Sequence, residues 1–525
     1  MRRSTWLGLI LLAALMGIGA VLWQRSGAKP PRALQETMPA SQPARPTLAG
    51  RVQAQGEPVA AALVRIQGRS ASTLTDDAGR FALARPRAIA GEFTLTASKA
   101  GYFIGGRSLS NETDANAIEI ELKLLPEQDC ARYAWVDPTP DQAARQNCGN
   151  CHQEIYDEWK LSAHAAAANN RRFANLYDGR DWQGRPERGW SLLAEHPHGA
   201  GVCTSCHAPS LEPNEPAFDD LRGLSGVAAQ GVHCDLCHKI RNVSTEHLGL
   251  AHGRFALEWL RPEQGQVFFG PLDDVARGED VYSPLQQSSR FCASCHEGVV
   301  FGVPVYTTYS EWFESPARQQ GKQCQTCHMA PTGSLTNIAP GAGGVERDPR
   351  TLASHRLLPG GREAMLKKCL KLSIEGKDAA AGFEVSVELA ARDVGHRVPT
   401  GFIDRHLALS AEAFDSEGQA LDAVSGPRLP EAAGRSLAQR PGRLFARLLS
   451  EPDGRAPAPF WRAGVTFVDT RLAPERPEKS RWTFPPVTRR VRVQLWYRRF
   501  WPETVEAKSW PNDEILVLER ELRLD

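Results

Sequence analysis

The chain has 525 residues, of which 42% are apolar, a size and composition typical of a globular protein with two to four domains. Its 62 basic and 61 acidic side chains leave a formal charge of +1, so the strongly basic surface of a nucleic-acid-binding protein is excluded. Twelve cysteines and 14 histidines are the side chains best able to carry chemistry.

The N-terminus carries an apolar run between Trp6 and Trp23, preceded by two arginines. Such a run is just long enough to span a bilayer, and the basic pair favours a cytoplasmic N-terminus. We predict a membrane anchor at residues 1–25 that holds the rest of the chain on the periplasmic side of the inner membrane. The alternative is a signal peptide cleaved after Ala28. Residues 26–47, rich in Pro and Ala, are predicted to be a linker.

Residues 48–126 alternate short apolar segments with turn signals. The predicted strands are Leu48–Gln53, Ala61–Ile66, Arg80–Leu83, Phe93–Ala97 and Ile118–Leu122. The segments GEPVAAALVRIQG, TLTDDAGRFAL and LTASKAGY resemble the carboxypeptidase regulatory-like, prealbumin-type β-sandwich, and the resemblance implies such a domain here. Because no residue in it points to chemistry, we expect a spacer or docking module.

Ten cysteines occur in five copies of Cys-x-x-Cys-His, the pattern of c-type haem attachment. We number them motif 1 (Cys148, Cys151, His152), motif 2 (Cys203, Cys206, His207), motif 3 (Cys234, Cys237, His238), motif 4 (Cys292, Cys295, His296) and motif 5 (Cys324, Cys327, His328). The two thiols can each bond a porphyrin vinyl group, and the histidine can reach the iron. Zinc sites and disulfides give no reason for a histidine after every pair. The chain is therefore predicted to bind five haem c groups covalently, in a domain at 127–365.

One sequence in this domain occurs twice. YDEWKLS at 156–162 recurs as YSEWFES at 309–315, each time downstream of a motif. The recurrence predicts duplication of a haem-bearing unit. The alternative is two independent helices whose tryptophan packs on a porphyrin.

Nine further histidines could bind the opposite faces of the irons. Imidazole on both faces gives low-spin iron, whereas an open face can bind a small ligand. The predicted distal ligands are His164, His355, His396, His198 and His252. Weaker candidates are His196, His233 and His247. His406 is interpreted as an ordinary strand histidine, and Met365 is the one plausible sulfur ligand.

The preferred histidines are chosen by their local sequence. His164 lies on a predicted helix after motif 1, His355 lies just beyond motif 5, and His396 lies in the turn-rich segment GHRVPTG. His198 and His252 each lie next to a glycine, which permits close approach.

Residues 366–525 are predicted to form a C-terminal β-domain, with strands at Phe383–Ala390, Leu407–Ala413, Val487–Tyr497 and Ile515–Glu519. Polar and mostly apolar residues alternate along Arg490–Arg498, which predicts a half-buried strand. Its arginines form either a solvated sheet face or a docking face for an acidic cytochrome. The predicted fold class is α+β multidomain: an N-terminal β-sandwich, a mainly helical or irregular multihaem core and a C-terminal β-domain.

Cys130 and Cys369 bracket the haem region and lie outside the motifs. In an oxidising compartment they could form a disulfide, and two free thiols are the alternative.

Five segments carry a family resemblance: CHQEIYDEWKLSAHA, GVHCDLCHKI, FCASCHEGVVFGVPVYTTYSEWFESPA, CQTCHMAPTG and GHRVPTGFIDR. They resemble multihaem cytochromes of the cytochrome c-554 and hydroxylamine oxidoreductase group. The resemblance implies closely stacked haems, an electron-relay role, and distal histidines at His164, His355 and His396. Pentahaem nitrite reductases attach their catalytic haem through a motif ending in lysine, which is not matched here. The tyrosine cross-link of hydroxylamine oxidoreductases has no assignable counterpart.

The predicted function is electron transfer between redox partners outside the cytoplasm, either other cytochromes or a quinol-linked membrane complex, without catalysis of its own. The alternative is an oxidoreductase that acts on a small nitrogen or sulfur compound at one open haem. A third hypothesis is a scaffold whose two β-domains bind partners.

Overall fold

The computed structural model describes residues 47–85, 91–110, 115–198 and 201–524. The predicted anchor or signal peptide at 1–25, and all of the linker except its last residue, lie outside this range. Among the described residues, no helix is both long and apolar enough to cross a membrane.

The described N-terminal region has eight strands: β1 Thr47–Ala54, β2 Glu57–Pro58, β3 Leu63–Ile66, β4 Ser72–Leu74, β5 Arg80–Ala84, β6 Phe93–Ser98, β7 Gly105–Leu109 and β8 Ile118–Glu121. One sheet has the order β2-β1-β5, with β8 parallel to β1, and the other has the order β4-β3-β6-β7. Leu48, Phe81, Leu95 and Ile120 share one buried core between the sheets. Burial of each such side chain stabilises the fold by about 1.5–3 kcal/mol. Two sheets around one core make a β-sandwich.

The region that carries the motifs consists of short helices and two-stranded sheets. Its helices are α1 Gln153–Trp159, α2 Arg171–Asp178, α3 Leu192–Glu195, α4 Gly201–His207, α5 Pro216–Asp219, α6 Cys234–His238, α7 Ala293–His296, α8 Thr308–Phe313, α9 Pro316–Gln319, α10 Cys324–His328 and α11 Gly361–Cys369. Its strands are β9 Ile240–Val243, β10 Leu257–Trp259, β11 Phe268–Gly270, β12 Asp280–Tyr282, β13 Glu297–Val300 and β14 Val303–Thr307.

The motifs themselves lie on single helical turns. Motifs 3 and 5 are α6 and α10, motif 2 forms the end of α4, and the last four residues of motif 4 are α7. Motif 1 begins with a 3-10 turn at Cys148–Asn150. On one turn, residues i, i+3 and i+4 share a face, so both thiols and the imidazole of each motif point to the same side.

The C-terminal region has ten strands among its described residues: β15 Leu370–Ala379, β16 Gly382–Ala391, β17 His406–Phe414, β18 Ala420–Leu421, β19 Gly442–Phe445, β20 Arg447–Ser450, β21 Thr466–Asp469, β22 Glu478–Phe484, β23 Arg490–Arg498 and β24 Ile515–Arg523, with α12 at Pro502–Ala507. The main sheets have the orders β15-β16-β22 and β18-β17-β23-β24, with β19 beside β17. Val385, Leu407, Phe445, Trp482 and Val493 belong to the core that the two sheets share.

Every strand predicted from the alternation of apolar residues overlaps an observed strand. On β23, Val491, Val493 and Leu495 are buried, as the alternation predicts. The alternation of apolar residues does not predict strand β15, because the second half of this strand is polar and exposed. It forms through its full-length pairing with β16.

Two arginines of β23 pair with nearby carboxylates, one on β17 and one just before β24. Arg492 lies 2.6 Å from Glu412, and Arg498 lies 2.5 Å from Glu514. Arg492 is paired and Arg498 is buried, so neither presents a free positive charge at the surface, which favours the interpretation of this face as a solvated sheet face.

The three regions form one compact unit from Thr47 to Asp525. The sandwich contacts the haem region through Arg65, which lies 2.8 Å from Asp273, and through the Gly68 amide, which donates to Asp274. The chain therefore combines helices and strands in a mixed α+β architecture around the five motifs.

Candidate haem centres

One continuous cavity of about 1090 Å³ runs through the haem region, and the cysteines and histidines of all five motifs line it. Protein interiors normally contain few voids larger than a water molecule. A wall that presents paired thiols and imidazoles to one large space suits several porphyrins. A zinc site would need a cluster of at least three ligating side chains, and no such cluster occurs in the part of the chain that the structure describes.

The proximal histidines are oriented for binding a metal. The Nδ1 atoms of four of them donate to backbone carbonyls: His152 to Ile338, His207 to Ala167, His238 to Phe269 and His328 to Leu357, at 2.6–3.0 Å. A carbonyl oxygen only accepts, so Nδ1 carries the proton and Nε2 keeps the lone pair that iron needs.

Burial also favours the neutral form of four proximal imidazoles. It lowers the pKa of His152, His207 and His238, and lowers that of His296 to about 3. A neutral ring is the form that binds metal. The residues present therefore fit haem, with the ten motif cysteines as attachment points and the five histidines as proximal ligands.

Two predicted distal histidines face a proximal one. The ring centroids of His164 and His296 lie 6.2 Å apart, and those of His396 and His328 lie 6.3 Å apart. Two imidazoles that hold one metal between them, with bonds of about 2 Å, have a spacing of this size. The Nδ1 of His396 donates to the Arg397 carbonyl, which leaves its Nε2 free.

The third predicted ligand, His355, lies near motifs 1 and 3. Burial, together with the neighbouring His238 and His152, lowers its pKa to about 4. Its Nδ1 has no hydrogen-bond partner among the described residues. The structure brings it to the cavity wall.

His252 and His198, which have similar local sequences, have different environments. His252 is buried on the cavity wall, and neither ring nitrogen has a partner in the described part of the chain. Gly253 (φ +58°) is so close to motif 2 that a Cβ would lie 2.2 Å from the Ser205 carbonyl oxygen. His198 is exposed and does not line the cavity, so the structure does not bring it to any motif.

The weaker candidates also differ in their contacts. His196 hydrogen-bonds through Nε2 to the Trp461 carbonyl, and His247 is exposed. His233 is fully buried on the cavity wall, where its Nδ1 accepts from the Leu236 amide. In the sequence, the feature that could have indicated a role for His233 at the haem is its position directly before Cys234 of motif 3. His406 is buried in β17, away from the cavity wall, and stacks on Trp501.

The two cysteines outside the motifs, Cys130 and Cys369, carry free thiols. No disulfide joins them in the part of the chain that the structure describes.

Motif 2 has an aromatic environment. Phe173 stacks on the His207 ring with centroids 3.9 Å apart, and Phe402 and Phe460 belong to the same apolar cluster as Cys203. Two of these aromatic residues come from the C-terminal region.

Thiols of different motifs lie beside each other. Contact with Cys234 lowers the pKa of Cys148, contact with Cys206 lowers that of Cys295, and contact with Cys292 lowers that of Cys324 to about 7. Motif 1 therefore adjoins motif 3, and motif 4 adjoins motifs 2 and 5. The charge of Cys295 also acts on Cys237, which connects motif 3 with motif 4.

Comparison with known proteins agrees with this geometry. Residues 147–239, which contain motifs 1 to 3, match the family model described as cytochrome c554 and c-prime. No curated protein matches the chain significantly.

Among solved structures, a penta-haem cytochrome c552 from Thermochromatium tepidum is 25% identical, with 72% of this chain and 97% of that chain covered and a TM-score of 0.53. A type II cohesin–X-dockerin complex from Acetivibrio cellulolyticus is 24% identical over 14% of this chain and 51% of that chain, with a TM-score of only 0.11. The family match, the similarity to a penta-haem protein and the motif geometry together identify this chain as a multihaem c-type cytochrome.

Proposed function

We propose that the chain binds five haem c groups and carries electrons between redox partners outside the cytoplasm. The observation that supports this most directly is the contact between motifs, which links all five along one cavity. Bound haem iron supplies reversible one-electron chemistry. The residues of this chain hold the groups next to each other and supply the iron ligands.

The distal ligands proposed are His164, His355, His396 and His252. His198 was also a candidate, but its exposed position gives no support for this role. The partners proposed are other cytochromes or a quinol-linked membrane complex, with the protein on the periplasmic side of the inner membrane.

Motif 4 has a special place in the relay, because it adjoins motifs 2, 3 and 5, whereas motif 1 lies at one end beside motif 3. The test uses the haem-loaded protein. Mass and absorbance count its haems, and stopped-flow absorbance follows their reduction by a small-molecule donor. We expect five haems per chain that share electrons rapidly.

Replacing both motif 4 cysteines (Cys292→Ser, Cys295→Ser) should leave four haems that equilibrate at least tenfold more slowly. The matched variant at motif 1 (Cys148→Ser, Cys151→Ser) should leave four haems that still equilibrate at the original rate. Fewer than five haems in the unaltered protein, or equal effects of the two variants, would contradict the proposal.

A second candidate function is an oxidoreductase with an open haem at motif 2. It is favoured by the phenylalanines around this motif: Phe173 stacks on His207, and no second histidine ring faces His207 among the described residues, whereas His296 and His328 each face one. Cyanide or nitrite binding to one iron in five, with a high-spin ferric signal, would support it. Purely low-spin spectra without ligand binding would exclude it.

A further inference from the structure

The sequence that occurs twice folds in the same way twice. In α1 the rings of Tyr156 and Trp159 lie 5.9 Å apart and are inclined by 42°. In α8 the equivalent rings of Tyr309 and Trp312 lie 5.5 Å apart and are inclined by 36°. In both copies the serine three residues after the tryptophan donates its amide to the tryptophan carbonyl, at 2.8 and 3.0 Å.

The tryptophan of each copy binds a later haem motif. Trp159 donates its indole N–H to the carbonyl of Val232, at 2.9 Å. Trp312 donates to the carbonyl of Lys322, at 2.8 Å. Both acceptors lie two residues before the first cysteine of a motif, which is motif 3 in one copy and motif 5 in the other. Independent helices would not make the same contact at the same offset.

The glutamate of each copy binds a segment that carries a predicted distal histidine. Glu158 accepts the backbone amide of His355 at 2.7 Å and the Ser354 hydroxyl at 3.1 Å. Glu311 accepts the amide of Arg397, the residue after His396, at 3.1 Å. Glu311 also accepts the Thr400 hydroxyl at 3.1 Å.

Both histidines lie in segments without helix or strand. No regular backbone pattern therefore fixes their position, and the hydrogen bonds to the carboxylates do so instead. Burial of a carboxylate is costly unless it is well partnered. The side chains of Glu158 and Glu311 are only 7% and 9% exposed.

We infer that each copy of this sequence is a two-ended clamp. Its tryptophan holds a haem motif, and its glutamate positions the histidine that binds the opposite face of the iron of that same motif. The copy at α8 joins His396 to motif 5, in agreement with the 6.3 Å between the rings of His396 and His328. In the copy at α1, Trp159 contacts the segment before motif 3 and Glu158 contacts His355, so this copy joins His355 to motif 3. The inference rests on the proposed haem binding.

One difference between the copies concerns a predicted iron ligand. His164, which faces His296 of motif 4, lies five residues after Trp159, whereas the equivalent residue after Trp312 is Ala317. The first copy therefore provides an additional ligand for motif 4, and the second copy does not.

The test uses the haem-loaded full chain and the variants Glu158→Ala and Glu311→Ala. Each should lose one low-spin ferric signal by paramagnetic resonance and gain binding of about one carbon monoxide per chain, and the double variant should bind about two. Glu158→Gln and Glu311→Gln keep an acceptor oxygen and should restore low-spin spectra. If an alanine variant does not fold, Glu158→Asp and Glu311→Asp move the carboxylate back by one methylene, and each should give a partial high-spin signal at full haem content.

The matched control is Asp181→Ala. Asp181 is also buried and accepts backbone amides of Gln183 and Arg185, but it positions no histidine. It should leave all low-spin signals unchanged. The clamp would be overturned by glutamate variants with unaltered spectra, or by a haem-loaded structure with His355 on another motif. Fewer than five haems in the unaltered protein would instead contradict the proposed function.

Discussion

The rings of His328 and His396 lie 6.3 Å apart and are inclined by 30°, although one belongs to motif 5 and the other to the C-terminal region. The Nδ1 atoms of both donate to backbone carbonyls, of Leu357 and Arg397 respectively. Both Nε2 atoms are therefore available to a metal between the rings. This pair makes the C-terminal region part of a haem site.

His396→Ala should open one haem. Because His396 is the histidine that faces His328, its loss should give about one carbon monoxide bound per chain and remove one low-spin ferric signal, as measured by absorbance and paramagnetic resonance. His198→Ala is the matched control, since His198 is exposed outside the cavity wall, and it should change neither quantity. An unaltered spectrum in His396→Ala would contradict the assignment.

The free energy of unfolding should depend on pH through His406. Burial lowers its pKa from 6.5 to about 3. Below pH 6.5 the unfolded chain therefore takes up a proton that the folded chain does not, and this contribution to stability falls by up to about 1.4 kcal/mol per pH unit down to pH 3. His406→Phe keeps the stacking on Trp501 and should reduce the slope between pH 6.5 and 4. Denaturant unfolding at several pH values measures this slope of the free energy of unfolding against pH.

Asp404 should have the opposite effect. Burial raises its pKa from 3.8 to about 8. As pH rises above 3.8 the unfolded chain releases a proton that the folded chain retains, so this contribution to stability is lost by up to about 1.4 kcal/mol per pH unit until pH 8. Asp404→Asn should abolish that loss. Compared with the unaltered protein at the same pH, the variant should therefore be more stable at pH 8 than it is at pH 4. Identical pH profiles for both proteins would show that the carboxyl is ionised when folded.

The buried ion pair between Arg471 and Glu311 should be costly to break. The two side chains lie 2.6 Å apart and are 6% and 9% exposed. Arg471→Met would leave Glu311 without its closest cation, which should cost about 3–5 kcal/mol in the free energy of unfolding. Arg455→Met is the control, because Arg455 is 71% exposed in its pairs with Glu451 and Asp453, and it should cost at most about 1 kcal/mol. Chemical denaturation of the haem-loaded protein compares the two.

The residue sequence alone determined the local chemistry of this protein. Cysteines at i and i+3 and a histidine at i+4 share one face when the segment forms a helical turn, and this spacing alone predicts the five haem motifs. The alternation of Val491, Val493 and Leu495 likewise predicts a strand with one buried face, because strand side chains have a period of two.

Only the tertiary structure decided which histidine meets which motif. His198 and His252 both lie next to a glycine, yet one is exposed and the other is buried beside motif 2. The recurrence of YDEWKLS predicted a duplicated unit, but the bonds from Glu158 to His355 and from Glu311 to the segment of His396 join residues far apart in the chain. No local period encodes such contacts, because they depend on how separate segments pack around the same cavity.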